Sequence, residues 1–337
     1  MPRTIPPPSF RMLMTHLQRA RTWCRQASVA ARAAAVRGCA TAALIVVGAA
    51  PAAAQTLDDG VMVSPHVLRT TLTYGREAWS DYWEGEVKRS NGNIGTVTTR
   101  TATWMGAYGL TRRASIIASL PYVWTEASQG VLHGMQGRQD LTVSLKYRVA
   151  QLSLADRASV RVMAVGGVGT PTSDYTPDFL PLSIGLHDRH ALVRAAFYLK
   201  DRSGVFFDGW AGHVWRGMVR IDRPAYYTNG QLIESHDVAV PDVANYSASI
   251  GIQRGPLCLP IGISTQRTLG GGDIRRQDMP FLSNRMDFTT AHGAVMYILP
   301  GLPSVQLELA ASRTLRGRNV GQSTTYTAGL TQMVQFE

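Results

Sequence analysis

The chain has 337 residues, with 34 Lys and Arg against 23 Asp and Glu, and three cysteines. Seven of the arginines and no acid lie in residues 1–54, so without that stretch the balance falls from +11 to +4 and only Cys258 remains. This excludes a disulfide framework, and the remaining Lys and Arg are scattered rather than gathered with aromatics on one element, which argues against a nucleic-acid binder.

Residues 1–54 read as an export signal. A basic leader runs into the apolar residues 41–50 and then into Pro51-Ala52-Ala53-Ala54 before Gln55, which predicts cleavage after Ala54. The apolar run falls short of the roughly 20 residues a spanning helix needs. Met12 and Met14 are alternative starts. Residues 55–66 are expected to form a short periplasmic segment and residues 67–337 a single domain, since no Pro/Ser-rich tract or charge block divides them.

From residue 67 onward, stretches of some ten residues alternate apolar with polar, the signal of strands with one face on lipid and one on water. The first is residues 67–79, with Leu68, Thr70, Leu72 and Tyr74 on one face. Residues 96–110 follow and end in Trp104, Tyr108 and Leu110. Residues 114–125 place Ile116, Ala118, Leu120, Tyr122 and Trp124 together. The clearest is 140–149, where Leu141, Val143, Leu145, Tyr147 and Val149 point one way and Thr142, Ser144, Lys146 and Arg148 the other. Residues 160–170 and 189–200 come next, the latter with His190, Arg194 and Lys200 facing inward. Residues 205–215 make a seventh strand of unsettled parity, because Phe206, Asp208 and Trp210 share a face. Residues 246–254, 259–268, 288–299, 305–315 and 325–336 complete twelve.

Short connections alternate with long ones, which predicts periplasmic turns and extracellular loops. The fold expected is all-β: a single antiparallel transmembrane β-barrel, closed by pairing the last strand with the first because an open edge cannot face hydrocarbon. Trp104, Tyr108, Tyr122, Trp124, Tyr147, Tyr246, Tyr297 and Phe336 are the aromatics expected at the membrane interfaces. Phe336, one residue before the end, resembles the C-terminal sorting signal of bacterial outer-membrane proteins and implies two partners, the barrel-assembly machinery and outer-membrane lipid. The rival is a soluble exported β-sandwich or solenoid, whose strands also alternate but need one face covered by another sheet; the length of the strands here weighs against it.

Motifs for chemistry are weak. Gly270-Gly271-Gly272-Asp273 lacks the Gly-Lys-Ser/Thr ending of a phosphate loop, and the histidines show no metal-binding pair such as HExxH. No catalytic residue, metal or cofactor is therefore assigned, and His213 and His292 receive no role. The better target is the inward polar set: Lys146, Arg148, Arg161, Arg194 and Lys200 against Glu308 and, if its parity allows, Asp208. These side chains either line a pathway with a positive potential or pair with acids and fill a narrow bore. Two loops carry further options. Residues 81–86 are acidic and aromatic, suited to divalent ions, to substrate or to solvent alone; Tyr175, Phe179 and Leu180 either fold inward as a constriction or pack on neighbouring loops.

Two stretches go beyond a generic barrel. Residues 109–123, GLTRRASIIASLPYV, resemble the Gly-Leu-Thr-x-Arg…Leu-Pro-Tyr hairpin of the meta-pathway of phenol degradation family of outer-membrane proteins. Residues 139–149, QDLTVSLKYRV, are similar to that family's following Gly-Asp-Leu…Lys-Tyr-Arg strand, with Gln139 in place of its glycine. Pro121 removes a ladder donor, as at a bulge. The resemblance implies a passive outer-membrane channel for small solutes, aromatic or hydrophobic compounds among them. A structural or adhesive barrel with a plugged lumen, and a barrel lipid hydrolase, stay open as alternatives.

Overall fold

The computed structural model describes residues 60–155, 157–275 and 280–336; the leader with its expected cleavage after Ala54 lies outside them. Among the described residues all regular elements are strands, and twelve long ones close into an antiparallel barrel. We number them β1 (Val67–Trp79), β2 (Val97–Gly109), β3 (Ala114–Ala127), β4 (Asp140–Leu154), β5 (Ala158–Pro171), β6 (His190–Asp201), β7 (Val205–Arg216), β8 (Val243–Arg254), β9 (Leu257–Thr268), β10 (Asp287–Ile298), β11 (Val305–Arg318) and β12 (Thr324–Gln335). Closure is made by β1 and β12, which pair from Val67↔Gln335 to Ala78↔Thr324. No ladder edge is left to face hydrocarbon.

Alternation makes the wall two-faced. Leu72, Leu145, Val193, Ile250, Ile261, Leu309 and Leu330 are exposed outside, whereas Ile117, Met163, Val165 and Ala196 are buried on the other face. An apolar outer band on a closed barrel is the surface of an outer-membrane protein. Tyr122, Trp124 and Tyr246 stand toward the long-loop end of this band, and Tyr108, Tyr147, Tyr297 and Phe336 toward the short-turn end. Trp104 sits mid-strand, level with Leu72 and Leu120. Ile250 lies near mid-depth and is 53% exposed. Ile250→Arg should therefore destabilise the barrel by about 2–4 kcal/mol, read as a lower urea midpoint in equilibrium unfolding from lipid vesicles.

The short turns are locally encoded. After β2, the Thr111 hydroxyl accepts from the N–H groups of Arg113 and Ala114 (3.1 and 3.0 Å). After β6, the Asp201 carboxylate accepts from Ser203 Oγ and from Val205 N, and Gly204 adopts φ +92°. Pro121 marks a change of partner along β3. Below it Ser119 pairs with Thr142 of β4; above it Tyr122 pairs with Arg138 of a short strand, Gln136–Arg138. One extra residue is accommodated on that side, and Gln139 at the break receives Thr172 N and Thr172 Oγ1 on its carbonyl.

The long loops build a cap. Val219, Ile221, Val238 and Val240 of loop 217–242 bury against Phe281 and Leu282, with Leu180, Leu186 and Tyr226 packed on them. The acids of residues 81–86 are committed to cations rather than to an ion site: Asp81 to Lys88 (3.2 Å), Glu84 to Arg89, and Glu86 to Arg318 (3.5 Å). The glycine run at residues 270–272 leads to Asp273, which receives Arg318 Nε and Nη2 at 2.7 Å each and Asn319 Nδ2 at 2.8 Å. These hydrogen bonds, Arg318 foremost, hold the Asp273 carboxyl below its ordinary value of 3.8. A depressed carboxyl stabilises the fold above its unfolded pKa, and that contribution is lost as pH falls through the folded one. Protease cleavage in loop 269–286 should accordingly rise as pH drops below the ordinary value of 3.8, and Asp273→Asn should raise it at neutral pH and flatten the dependence.

Candidate functional site: the barrel interior

Register partners share a face, so the ladder places each predicted interior residue. Lys146 is 0% exposed and lies between Ser115 of β3 and Val165 of β5. Arg148 pairs with the buried Met163, just before a bulge at Val149, and donates to the Arg112 carbonyl at 2.9 Å. Arg161 pairs with Tyr198, and its guanidinium stands 5.7 Å from that ring. Arg194 pairs with Gly212, and its guanidinium lies 4.6 Å over the Trp210 ring. A Cβ on residue 212 would come within 2.5 Å of Arg194 Cγ, so glycine there is what lets the arginine stem lie along the wall. Lys200 donates to Gln253 Oε1 at 2.7 Å. Glu308 pairs with Met296 and Gly329 on the far side. The five basic residues thus cluster on β4–β6, while Asp208 and Glu308 stand on β7 and β11.

The seventh strand's parity is resolved by its partners. Phe206, Asp208 and Trp210 face Lys200, Tyr198 and Ala196 in register, which puts all three on the buried side. Phe206 stacks on Tyr198 with centroids 5.6 Å apart, and both pack with Met163 and Ala196.

Two chain segments enter the bore. At the short-turn end, residues 60–65 cross the interior: Met62 packs on the Tyr198 cluster, Val63 is buried with Ala107 and Ile117, and Pro65 bridges Gly109. Arg161 Nη1 donates to the Gly60 carbonyl at 3.1 Å, and Gly60 lies so close to the Tyr198 ring that a Cβ would stand 2.1 Å from it. At the other end, loop 172–189 folds inward. Leu182 is 1% exposed against Ile94 and Val97, and its carbonyl accepts from Thr125 Oγ1 at 2.5 Å. Tyr175 and Ile184 bury against Val123. Burial, with the Asp140 carboxylate beside it, pushes the Tyr175 pKa up, so the hydroxyl stays a neutral donor. Leu180 turns into the cap, whereas Phe179 remains 46% exposed.

Between these closures two cavities run along the wall from β7 through β12 to β1. The upper, about 570 Å³, is lined by Trp79, Tyr82, Leu180, Pro181 and Phe288 with Glu77 and Thr325. The lower, about 370 Å³, is lined by Asp208, Trp210, Ser249, Met296, Glu308 and Thr327. Ser264, His292 and Ser312 line both, so the cavities adjoin. His292 Nε2 stands 3.3 Å from Ser249 Oγ, the imidazole lying over Gly262, where a Cβ would meet Nε2 at 2.8 Å. A hydrolytic serine needs a base that is itself oriented by a third group. Among the described residues no carboxylate pairs with His292, and the bond reads as wall structure. His213 lies on the outer face, 3.4 Å from Asp242 and beside Trp215.

No family model matches the chain, and no curated protein matches it in sequence. Among solved structures it is similar to an outer membrane channel from Pseudomonas putida F1, at 15% identity and a TM-score of 0.67 over 82% of this chain and 98% of that one. More distant are a NanC porin (10% identity, TM-score 0.42, 77% and 98% of the two chains) and the translocator domain of the autotransporter NalP from Neisseria meningitidis (10%, 0.42, 81% and 90%). The first likeness extends to the fold and no further.

Proposed function

We propose that this barrel is a passive, cofactor-free channel of the outer membrane for small compounds, aromatic or hydrophobic ones among them. The observation that carries the reading is the pair of adjoining cavities, which offers aromatic and thioether surfaces (Trp79, Tyr82, Phe288, Trp210, Met296) interleaved with hydroxyls. Such a lining suits a flat apolar solute with one polar group. The basic residues Lys146, Arg148, Arg161, Arg194 and Lys200 stand on β4–β6, outside the lining of these cavities, whose own charges are Glu77, Asp208 and Glu308. The chain is read as a member of the family that residues 109–123 and 139–149 resemble, exported by a leader cleaved after Ala54 and handed to the assembly machinery through its last strand.

A second reading, a structural barrel with a plugged lumen, is favoured by residues 60–65 and loop 172–189, which cover both ends of the bore. The two readings differ in ion current. In planar bilayers the purified barrel should give discrete steps that benzoate interrupts more than sucrose at equal concentration, and Trp210→Ala should weaken the interruption. Absent steps, or equal effects of the two solutes, would overturn the channel reading or its aromatic preference respectively.

A further inference from the structure

One cluster lies outside the pathway and is assembled from three separate elements. Asp140 opens β4, His190 opens β6, and Asp188 ends the inward-folded loop two residues earlier; β4 and β6 flank β5, which brings the three together. One donor atom from each lies within 4.8 Å of the others. Ligands at about 2.0–2.2 Å from a shared tetrahedral ion stand roughly 3.3–3.6 Å apart, so the three side chains must draw together by about an ångström to form a coordination shell.

A second observation points to a ligand. Asp188 is 3% exposed, and its Oδ2 accepts no hydrogen bond; His190 Nδ1 stands 3.7 Å away, beyond hydrogen-bond reach. A carboxylate oxygen buried in this way calls for a cation. Arg216 is near enough to act on Asp188 through its charge, but its own bonds run elsewhere, Nη1 to the Pro241 carbonyl at 3.4 Å. The supporting shell is also built. Tyr175 Oη donates to Asp140 Oδ1 at 2.9 Å and accepts from His187 N at 2.9 Å, which fixes the Asp140 carboxylate. Gly169, opposite His190, leaves room for the ring: a Cβ there would come within 2.2 Å of His190 Nε2.

We propose that Asp140, Asp188 and His190 form a binding site for one divalent first-row transition-metal ion, which ties loop 172–189 to the barrel wall. One imidazole nitrogen and two carboxylates, completed by water, suit Zn²⁺, whereas Ca²⁺ takes six to eight oxygens and finds too few here. The site holds whether or not the lumen conducts.

The test is calorimetric titration of the full barrel, stripped with chelator in detergent, with ZnCl₂ and separately with CaCl₂. One Zn²⁺ per chain and no measurable Ca²⁺ are expected. Asp188→Asn and His190→Gln should each remove the binding, and Tyr175→Phe, which takes away the group orienting Asp140, should weaken it about 10-fold. His213→Gln, which alters the histidine–carboxylate pair on the outer face, should leave it unchanged. Folding of each variant is checked by its heat-shifted migration on gels, and His190→Gln decides if Asp188→Asn does not fold. Zn²⁺ bound well below one per chain, binding indifferent to these variants, or Ca²⁺ bound as tightly as Zn²⁺ would each overturn the proposal.

Discussion

Removing residues 60–65, with β1 and the rest of the barrel intact, should raise the single-channel conductance severalfold. The segment is held by contacts that the wall does not need for its own ladder: the Arg161 bond to the Gly60 carbonyl, Met62 on the Tyr198 cluster, and Val63 with Ala107 and Ile117. Its loss also exposes those partners, and with the buried Val63 worth about 1.5–3 kcal/mol and the partly buried Met62 less, the melting temperature should fall alongside. Gly60→Ala, whose Cβ would stand 2.1 Å from the Tyr198 side chain, should displace the segment in part and so raise conductance and lower the melting temperature less than the deletion does. An unchanged conductance in the deletion, with a normally folded barrel, would mean that current does not pass this end of the bore.

The largest effect at the opposite end is expected from Leu182→Asp. Leu182 is 1% exposed, and truncating such a leucine to alanine costs about 2–5 kcal/mol. An unpaired carboxylate in its place costs more, and the loop has the cheaper escape of detaching. The twelve strands are hydrogen-bonded to one another around the full circle and do not depend on it. Chymotrypsin should then cut after Tyr175, which is buried in the folded loop, while the barrel keeps its heat-shifted migration on gels. Protection of Tyr175 equal to that of the parent would contradict the inward packing of loop 172–189.

The walls of this protein are legible in its sequence because a membrane barrel imposes one rule on every strand. At 140–149 the rule is met without exception, and Leu145 and Tyr147 stand exposed while Ser144 and Lys146 are buried. It failed to settle only residues 205–215, where Phe206 and Trp210 are large apolar residues that turn inward onto Tyr198 and under Arg194. Inward aromatics break the alternation that identifies the outer face, and here they furnish the interior. The closures were less visible. Residues 60–65 are too few to show a period, and loop 172–189 announces itself only by carrying Leu180, Leu182 and Ile184 where a solvated loop has little use for them. The Asp140, Asp188 and His190 cluster has no sequence signature, since its first two members stand 48 positions apart and only the folded barrel brings them together.

Whether the adjoining cavities pass small aromatic compounds is read from solute flux into liposomes. Vesicles holding the purified barrel would be compared with protein-free vesicles for an aromatic acid, a neutral aromatic and a sugar. Entry of the aromatic acid should run well above the protein-free rate and above that of the sugar, with a further increase once residues 60–65 are removed. Flux no greater than in protein-free vesicles for all three solutes, with and without that segment, would contradict the channel reading and leave the plugged barrel as the correct reading.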